Sequence, residues 1–140
     1  MKTLQQITMA MILGGLMLTS CNLEFTTANI ADVKVCDELN GNLCNSDHAV
    51  LSTAANQIST SCKLKNAPSN TMVTFTWKYL ENNPIIIDEV TVNSGDEGSN
   101  LDLNSTLSRP NNGWPRGKYA VEIRIGEKDK SPEIKNFEIR

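Results

Sequence analysis

Histidine, aromatic residues and surplus positive charge are all scarce in this 140-residue chain. Its single histidine leaves little material for histidine-based catalysis or for a histidine-rich metal site. The 13 lysines and arginines stand against 16 acidic residues, which gives a formal charge of −3. Because there is no basic surplus to neutralise phosphates, the composition argues against nucleic-acid binding. It also predicts no cofactor and no metal.

The apolar run near the amino terminus is too short to span a membrane comfortably. Residues 7–18 form a mostly apolar stretch of twelve, whereas a membrane-spanning helix needs about twenty such residues. Lys2 and the amino terminus provide a positive region before this run, and small residues follow it, as in a secretory signal. We therefore predict a signal peptide over residues 1–20, which leaves about 120 residues for one domain.

The end of this segment, Leu18-Thr19-Ser20-Cys21, resembles the lipobox of bacterial lipoprotein precursors. The resemblance implies cleavage before Cys21, acylation of its thiol with palmitate-like chains, and a lipidated tether over residues 21–29. Each buried methylene contributes about 0.8 kcal/mol, so two or three chains would hold a soluble domain at a membrane. The implied location is the bacterial cell envelope, at the outer membrane or the cell surface. The alternative is an ordinary cleaved signal, with Cys21 as a structural thiol.

Three cysteines follow Cys21, and export makes a disulfide plausible. Cys36 and Cys44 bracket a turn-rich stretch, and a bridge between them would staple it compactly. A bridge that uses Cys62 and the absence of any bridge both stay open. Since no paired C-x-x-C spacing is present, we do not expect a zinc site.

From residue 30 onward, short segments of alternating polarity are separated by turn residues, which is typical of β-strands. Residues 37–56, rich in Asn, Asp, Ser, Ala and Gly, are predicted mainly as a long loop. The clearest strand is residues 72–80, which place Val73, Phe75, Trp77 and Tyr79 on one face. The other predicted strands are residues 30–36, 58–64, 85–92, 101–107, 119–125 and 134–139. About seven such strands predict an all-β antiparallel sandwich over residues 30–140.

The segment Gly113-Trp-Pro-Arg-Gly-Lys-Tyr-Ala-Val-Glu-Ile123 carries a second resemblance. Together with Leu64-Lys-Asn-Ala-Pro68 and Phe75-Thr-Trp-Lys-Tyr79, it is similar to an immunoglobulin-like domain of bacterial envelope proteins. The resemblance implies that Trp77 is the core tryptophan of the third strand and that Tyr119 forms a tyrosine corner. Val121 stands where antibody-type domains have their second cysteine, so no inter-sheet disulfide is expected.

Candidate groups for chemistry are sparse in this sequence. His48 is interpreted as a surface residue of a loop, and no Gly-x-Ser-x-Gly elbow is present. Adjacent acidic pairs such as Asp88-Glu89 point to opposite faces of a strand, so they do not make a catalytic dyad. Trp114 is interpreted as a hydrophobic plug, or else as a contact platform with Arg109 and Arg116. We therefore predict no enzymatic activity.

These patterns together predict a lipid-anchored envelope module that binds an envelope protein or a glycan, or that has a structural role. Its expected contact surface is the Cys36–Asn56 region, because loops on rigid sandwiches commonly carry recognition. The alternative is an inhibitor that inserts the 36–56 loop into a hydrolase. An inhibitor would show a rigid, disulfide-held, protruding loop, whereas an assembly subunit would show an exposed apolar patch or an open edge strand.

Overall fold

The computed structural model describes residues 27–96, 100–126 and 131–140, which form ten β-strands and no helix. Seven of the strands are long: β1 (Asn29–Cys36), β5 (Gln57–Lys65), β6 (Met72–Tyr79), β7 (Ile85–Asn93), β8 (Leu101–Ser108), β9 (Gly117–Ile125) and β10 (Glu133–Ile139). Three have two residues each: β2 (Leu39–Asn40), β3 (Leu43–Cys44) and β4 (Val50–Leu51). The described residues include no helix with the length and apolar character needed to cross a membrane. The predicted signal peptide and Cys21 lie outside the described residues.

Two sheets pack face to face and confirm the all-β sandwich. One sheet has the order β1-β5-β8 and the other the order β4-β10-β9-β6-β7, while β2 and β3 form a separate hairpin. All pairs are antiparallel except β4 with β10. Strands β1, β5 and β8 take the places of A, B and E of an immunoglobulin domain, and β10, β9, β6 and β7 those of G, F, C and C′.

The core lies between the sheets and is built from the alternating positions of the long strands. Val73, Phe75 and Trp77 on β6 are fully buried, as the alternation predicted. The indole Nε1 of Trp77 donates a hydrogen bond to Ser105 Oγ at 2.9 Å, so burying this large side chain leaves no unpaired donor. The Tyr119 hydroxyl donates to the Pro115 carbonyl at 2.6 Å, four residues upstream, which is the contact of a tyrosine corner.

Cys62 is a free, fully buried cysteine in this core, where Val121 is also fully buried. Burial, with a smaller contribution from the nearby Asp102 carboxylate, raises the pKa of the Cys62 thiol to about 12. The thiol is therefore protonated at neutral pH and unreactive.

A disulfide joins Cys36 to Cys44. The segment that it closes was predicted as part of a long loop, but it contains a short hairpin. Residues 39–44 form the β2–β3 hairpin, which lies against the outer face of the three-stranded sheet. The Cys44 N–H donates to Ser61 Oγ at 2.9 Å. Ser59 and Ser61 on this outer face are 0% and 1% exposed, because the hairpin covers them. Two-residue strands carry no periodicity, so the sequence pattern does not reveal them.

After the hairpin the chain crosses from one sheet to the other and closes one side of the sandwich. β4 pairs in parallel with β10, with Val50 opposite Glu138. Asp47 accepts a hydrogen bond from the Val35 N–H on β1 at 3.0 Å and forms an ion pair with Lys135 on β10. On the opposite side, no described strand joins the free edges of β7 and β8.

Candidate functional site

The free edge of β7 carries an unusual amount of exposed apolar surface. Ile85, Ile86 and Ile87 are 57%, 60% and 41% exposed, and we call these three residues the β7 patch. Val90, further along the strand, is 37% exposed. Single exposed apolar residues are common, but three adjacent isoleucines on an edge strand are typical of an interaction surface.

The inward face of β7 is exposed because the two sheets differ in width, whereas Ile86, opposite Lys78, lies on the outer face. Five strands face three, and β7 lies at the outer edge of the wider sheet. Val90 and Asp88 lie opposite Phe75 and Trp77, so they occupy positions on the inward face of the sheet. Both remain exposed, because the three-stranded sheet does not extend over β7. The sequence of β7 is therefore apolar enough for a buried strand, but no second sheet covers it.

The edge itself is interrupted in two ways. The register of β6 and β7 shifts between Trp77 and Lys78, which leaves Ile87 as the extra residue of a bulge. Asp88 then places a charge on the inward-facing side. Bulges and inward-pointing charges are devices that discourage unlimited addition of strands to an edge. The β7 patch is thus suited to side-chain contacts more than to extension of the sheet.

A wholly apolar groove of about 160 Å³ adjoins the patch at one end of the sandwich. The residues that line it come from the β6–β7 region and from the segment before β9: Tyr79, Ile85, Ile87, Pro110, Trp114, Pro115 and Tyr119. The rings of Tyr79 and Tyr119 lie with their centroids 4.9 Å apart, and Phe137 stacks on Tyr119 from within the core. The groove is therefore anchored to the packed aromatic core.

Hydrogen bonds fix the 109–116 segment that forms one wall of the groove. The Trp114 Nε1 donates to the Ala55 carbonyl at 2.6 Å, and the Tyr79 hydroxyl donates to the Arg116 carbonyl at 3.1 Å. Gly117, which follows, has a φ of 141°, and a Cβ there would stand 2.5 Å from Glu81 Cγ. Only glycine fits this position without strain. The wall is preformed, as ligand grooves usually are.

The predicted contact residues fall on this wall. Trp114 is 6% exposed and joins the core cluster, which corresponds to the plug interpretation, although its edge also lines the groove. Arg109 and Arg116 are exposed and directly flank the groove residues Pro110 and Pro115. Within the described part of the chain, neither guanidinium has an ion-pair partner. Two unpaired cations therefore stand beside an apolar groove.

Opposite charges stand at the other end of the patch. Asp88 accepts a hydrogen bond from the Glu89 N–H at 2.9 Å, and Glu89 accepts one from Thr76 at 3.0 Å. Among the described residues, neither carboxylate has an ion-pair partner. The two carboxylates lie on opposite faces of β7, since Asp88 is opposite the inward-facing Trp77 and Glu89 is opposite Thr76.

The structure also shows where the candidates for chemistry lie. The His48 side chain is 43% exposed, and its Nδ1 is 3.9 Å from Asp37 Oδ1. A broad, open polar depression of about 620 Å³ contains Asp37 and Glu38 but no histidine or cysteine. The described residues include no group of three or more His, Cys, Asp or Glu placed to hold a metal. Sequence reasoning missed the β7 patch as a site, since an apolar run equally predicts a buried strand.

Comparison with known proteins does not supply a family: no family model and no curated protein matches the chain. Among solved structures, it is similar to an alkylpurine DNA glycosylase from Pseudomonas fluorescens bound to DNA containing an abasic site analog. That match has a TM-score of 0.49 and 14% identity, over 81% of this chain and 30% of the glycosylase. A beta-glucosidase from Listeria innocua in complex with glucose matches with a TM-score of 0.44 and 8% identity, over 81% of this chain and 16% of the enzyme. The chain thus spans less than a third of either protein, and neither match bears on its activity.

Proposed function

We propose that this protein is a lipid-anchored, non-catalytic module of the bacterial cell envelope that binds another component through the β7 patch. The exposure of three adjacent isoleucines on an open edge is the observation that most supports binding. The lipobox resemblance of residues 18–21 supports the anchor. An immunoglobulin-like scaffold is compatible with many functions, so the surface carries this proposal and the fold does not.

The position of the patch supports a role in reaching a partner away from the anchor. Asn29, where the described chain begins its first strand, pairs with Lys65 at one end of the sandwich. Tyr79 and Tyr119, in the floor of the groove, pair with each other at the opposite end. A tether at the first end leaves the groove and the β7 patch free to contact a partner.

The inhibitor alternative receives less support from the disulfide-held segment. An inhibitory loop must project far enough to enter the cleft of a hydrolase. Here the β2–β3 hairpin lies on the sheet, and even its turn is held there: the Asn104 Nδ2 donates to the Asn42 carbonyl at 3.4 Å. A hairpin that lies flat on the sheet favours the assembly interpretation.

The anchor is tested by intact mass spectrometry of the membrane-extracted full chain. We expect a mature mass that begins at Cys21 and includes two or three acyl chains. The Cys21→Ala variant should lose the acyl mass. A wild-type mass without acyl chains would contradict the anchor.

Binding at the patch is tested by a photocrosslinking amino acid placed at Ile86 of the full chain in living cells. Ile134 on β10 provides a matched control, because it is also an exposed isoleucine on a strand, at 53% against 60%. We expect a covalent adduct from position 86 and little from position 134. Equal labelling at both positions would contradict a specific site.

A further inference from the structure

We infer that the apolar groove beside the β7 patch binds an acidic protein segment, which inserts one apolar side chain into the groove and places carboxylates on Arg109 and Arg116. The inference rests on the proposed function for the use of this side of the molecule, and it names the chemistry of the partner. Its grounds are the size of the groove, its lining, and the two cations that stand beside it.

The size and lining of the groove suit a single side chain. Its volume is about 160 Å³, whereas pockets for drug-sized ligands usually measure about 300–1,000 Å³. All of the surface inside it is apolar, so it offers no hydrogen bond to orient a sugar or a nucleotide. Trp114 and Tyr119 are only 6% and 2% exposed, which leaves little ring surface for stacking on a sugar. Anchoring side chains at protein interfaces commonly fill preformed apolar pockets of this kind.

The strand register shows from which side a partner reaches the groove. Ile85 lies opposite Tyr79 on the inward face of the wider sheet, and Ile87 is the bulged residue that also lines the groove. Ile86 lies opposite Lys78 on the outer face, where Lys78 pairs with Glu122. A partner therefore enters between the free edges of β7 and β8, contacts Ile85 and Ile87, and leaves the outer-face ion pair intact.

The two arginines are held at the backbone, while their guanidinium groups are free to bind. The Arg109 N–H donates to the Asn56 carbonyl at 3.0 Å, and the Arg116 carbonyl accepts a hydrogen bond from a tyrosine hydroxyl of the groove at 3.1 Å. Arg109 Nη2 is 3.7 Å from where a Cβ on Gly113 would stand, next to the groove residue Trp114. Within residues 27–96, 100–126 and 131–140, no carboxylate pairs with either guanidinium. Guanidinium groups bind carboxylates through paired hydrogen bonds.

The acidic residues near the groove determine which way the partner lies. Asp88 follows Ile87 on the inward face, so it repels a carboxylate at the β7 end of the groove. Glu81, near the opposite wall, accepts a hydrogen bond from the Lys118 N–H at 2.9 Å and packs beside Gly117. The carboxylates of the partner therefore lie toward the two arginines and its apolar side chain toward β7. Because the chain has a net charge of −3, this attraction is local to the arginines.

The inference is tested with random short peptides displayed on phage and selected on the full chain purified in detergent. We expect the selected peptides to share an apolar residue next to aspartate or glutamate. A synthetic peptide of that pattern should bind the Arg109→Gln/Arg116→Gln variant at least about tenfold more weakly than the wild type, because its carboxylates lose their partners. The matched control is Lys65→Gln/Lys118→Gln, which removes the same charge from two exposed positions outside the groove and should change the affinity little.

A second pair of variants tests the apolar contact. We expect Ile87→Gln to weaken binding of the same peptide at least about tenfold, because a polar side chain then lines the groove. Ile134→Gln provides the control, since it makes the same change at an exposed strand position on β10, at 53% against 41% for Ile87. Circular dichroism of each variant checks that the fold is kept.

The outcomes separate this inference from the proposed function. A selection that yields no peptide, or peptides whose binding ignores the two arginines, overturns the acidic segment as the partner. Binding that ignores Ile87→Gln overturns the groove as its site, and a glycan array that shows binding with the variant dependence expected of the peptide replaces the segment with a glycan. None of these results bears on the acyl mass at Cys21 or on in-cell adducts from Ile86, which lies outside the groove, so the proposed function stands or fails by its own measurements.

Discussion

At the scale of single residues, three polar side-chain groups at the core of the sandwich each donate one hydrogen bond. The Trp77 indole bonds to Ser105, the Trp114 indole to Ala55, and the Tyr119 hydroxyl to Pro115. No buried side-chain nitrogen or oxygen of the described residues lacks a partner. Leaving a buried donor or acceptor without a partner costs about 1–3 kcal/mol. Removing one donor or acceptor atom from any of these pairs should therefore destabilise the fold.

Removing the Tyr119 hydroxyl tests this directly. We expect Tyr119→Phe to lower the free energy of unfolding by about 1–2 kcal/mol, because the Pro115 carbonyl loses its donor. Tyr79→Phe is the matched control, since its hydroxyl bonds to Arg116 in an exposed position and should cost much less. Urea unfolding at neutral pH measures both. Equal losses for the two variants would contradict a special role for the corner.

Both Trp77 and Tyr119 were predictable from the sequence, but on different grounds. Trp77 lies in an uninterrupted alternation, and the period of two assigns its face without knowledge of the rest of the fold. Tyr119 was expected to form a tyrosine corner from the resemblance of residues 113–123 to an immunoglobulin-like domain. The hydrogen-bond partner of Trp77 on β8, by contrast, is 28 residues away and depends on sheet packing.

At the scale of secondary-structure elements, the β2–β3 hairpin is the most informative feature. It lies on the outer face of the three-stranded sheet and is attached to β1 by the Cys36–Cys44 disulfide. The seven long strands were predictable from alternation, but this hairpin was not, because its strands have only two residues each. The sequence favoured the disulfide pair through its turn-rich spacing, without indicating where the stapled segment would pack.

The disulfide should stabilise the fold by constraining the unfolded chain. For a closed loop of this length, with a sequence separation of 8, loop entropy predicts a contribution of about 2–3 kcal/mol. We expect reduction of the wild type to lower the free energy of unfolding by that amount. The Cys36→Ala/Cys44→Ala double variant should start at the lower value and not respond to reductant. If reductant also lowered the free energy of unfolding of the double variant, the loss in the wild type could not be attributed to the Cys36–Cys44 bridge.

At the scale of the whole molecule, the two sides of the sandwich differ. One side is closed by the crossing of the chain between sheets, where Asp47 links β1 to β10 through Val35 and Lys135. The other side is open and carries the β7 patch. The exposure of the patch could not be predicted from the sequence, since it depends on how many strands the facing sheet contains. The apolar sequence of β7 would be the same whether or not a strand of the facing sheet covered it.

The closed side should weaken in acid. Partial burial acts to raise the pKa of Asp47, but the hydrogen bonds from Lys135 and the Val35 N–H and the charge of Lys135 lower it below its usual value. A carboxyl whose pKa is lowered by folding stabilises the protein above the pKa it has when unfolded, near 3.9, and that stabilisation is lost as the pH falls through the folded pKa. The Asp47 carboxylate is 36% exposed, so solvent screening keeps the effect small.

Urea unfolding at neutral and acidic pH measures this dependence. We expect Asp47→Asn to lower the free energy of unfolding at neutral pH and to have a smaller effect near pH 3, where the carboxyl of the unfolded wild type is already protonated. In a Lys135→Met background the same substitution should cost less at neutral pH, because one partner is gone. An effect that does not change with pH would contradict an ionic contribution from Asp47.

The burial of Cys62 has a consequence for which disulfide the chain forms. Before the sheets close, Cys36, Cys44 and Cys62 all present reactive thiols, and three pairings compete. Once β5 is packed in the core, Cys62 is inaccessible and its thiol stays protonated, so an oxidant finds only Cys36 and Cys44. The order of events thus matters: packing that precedes oxidation makes the correct bridge the only one available, without the help of an isomerase.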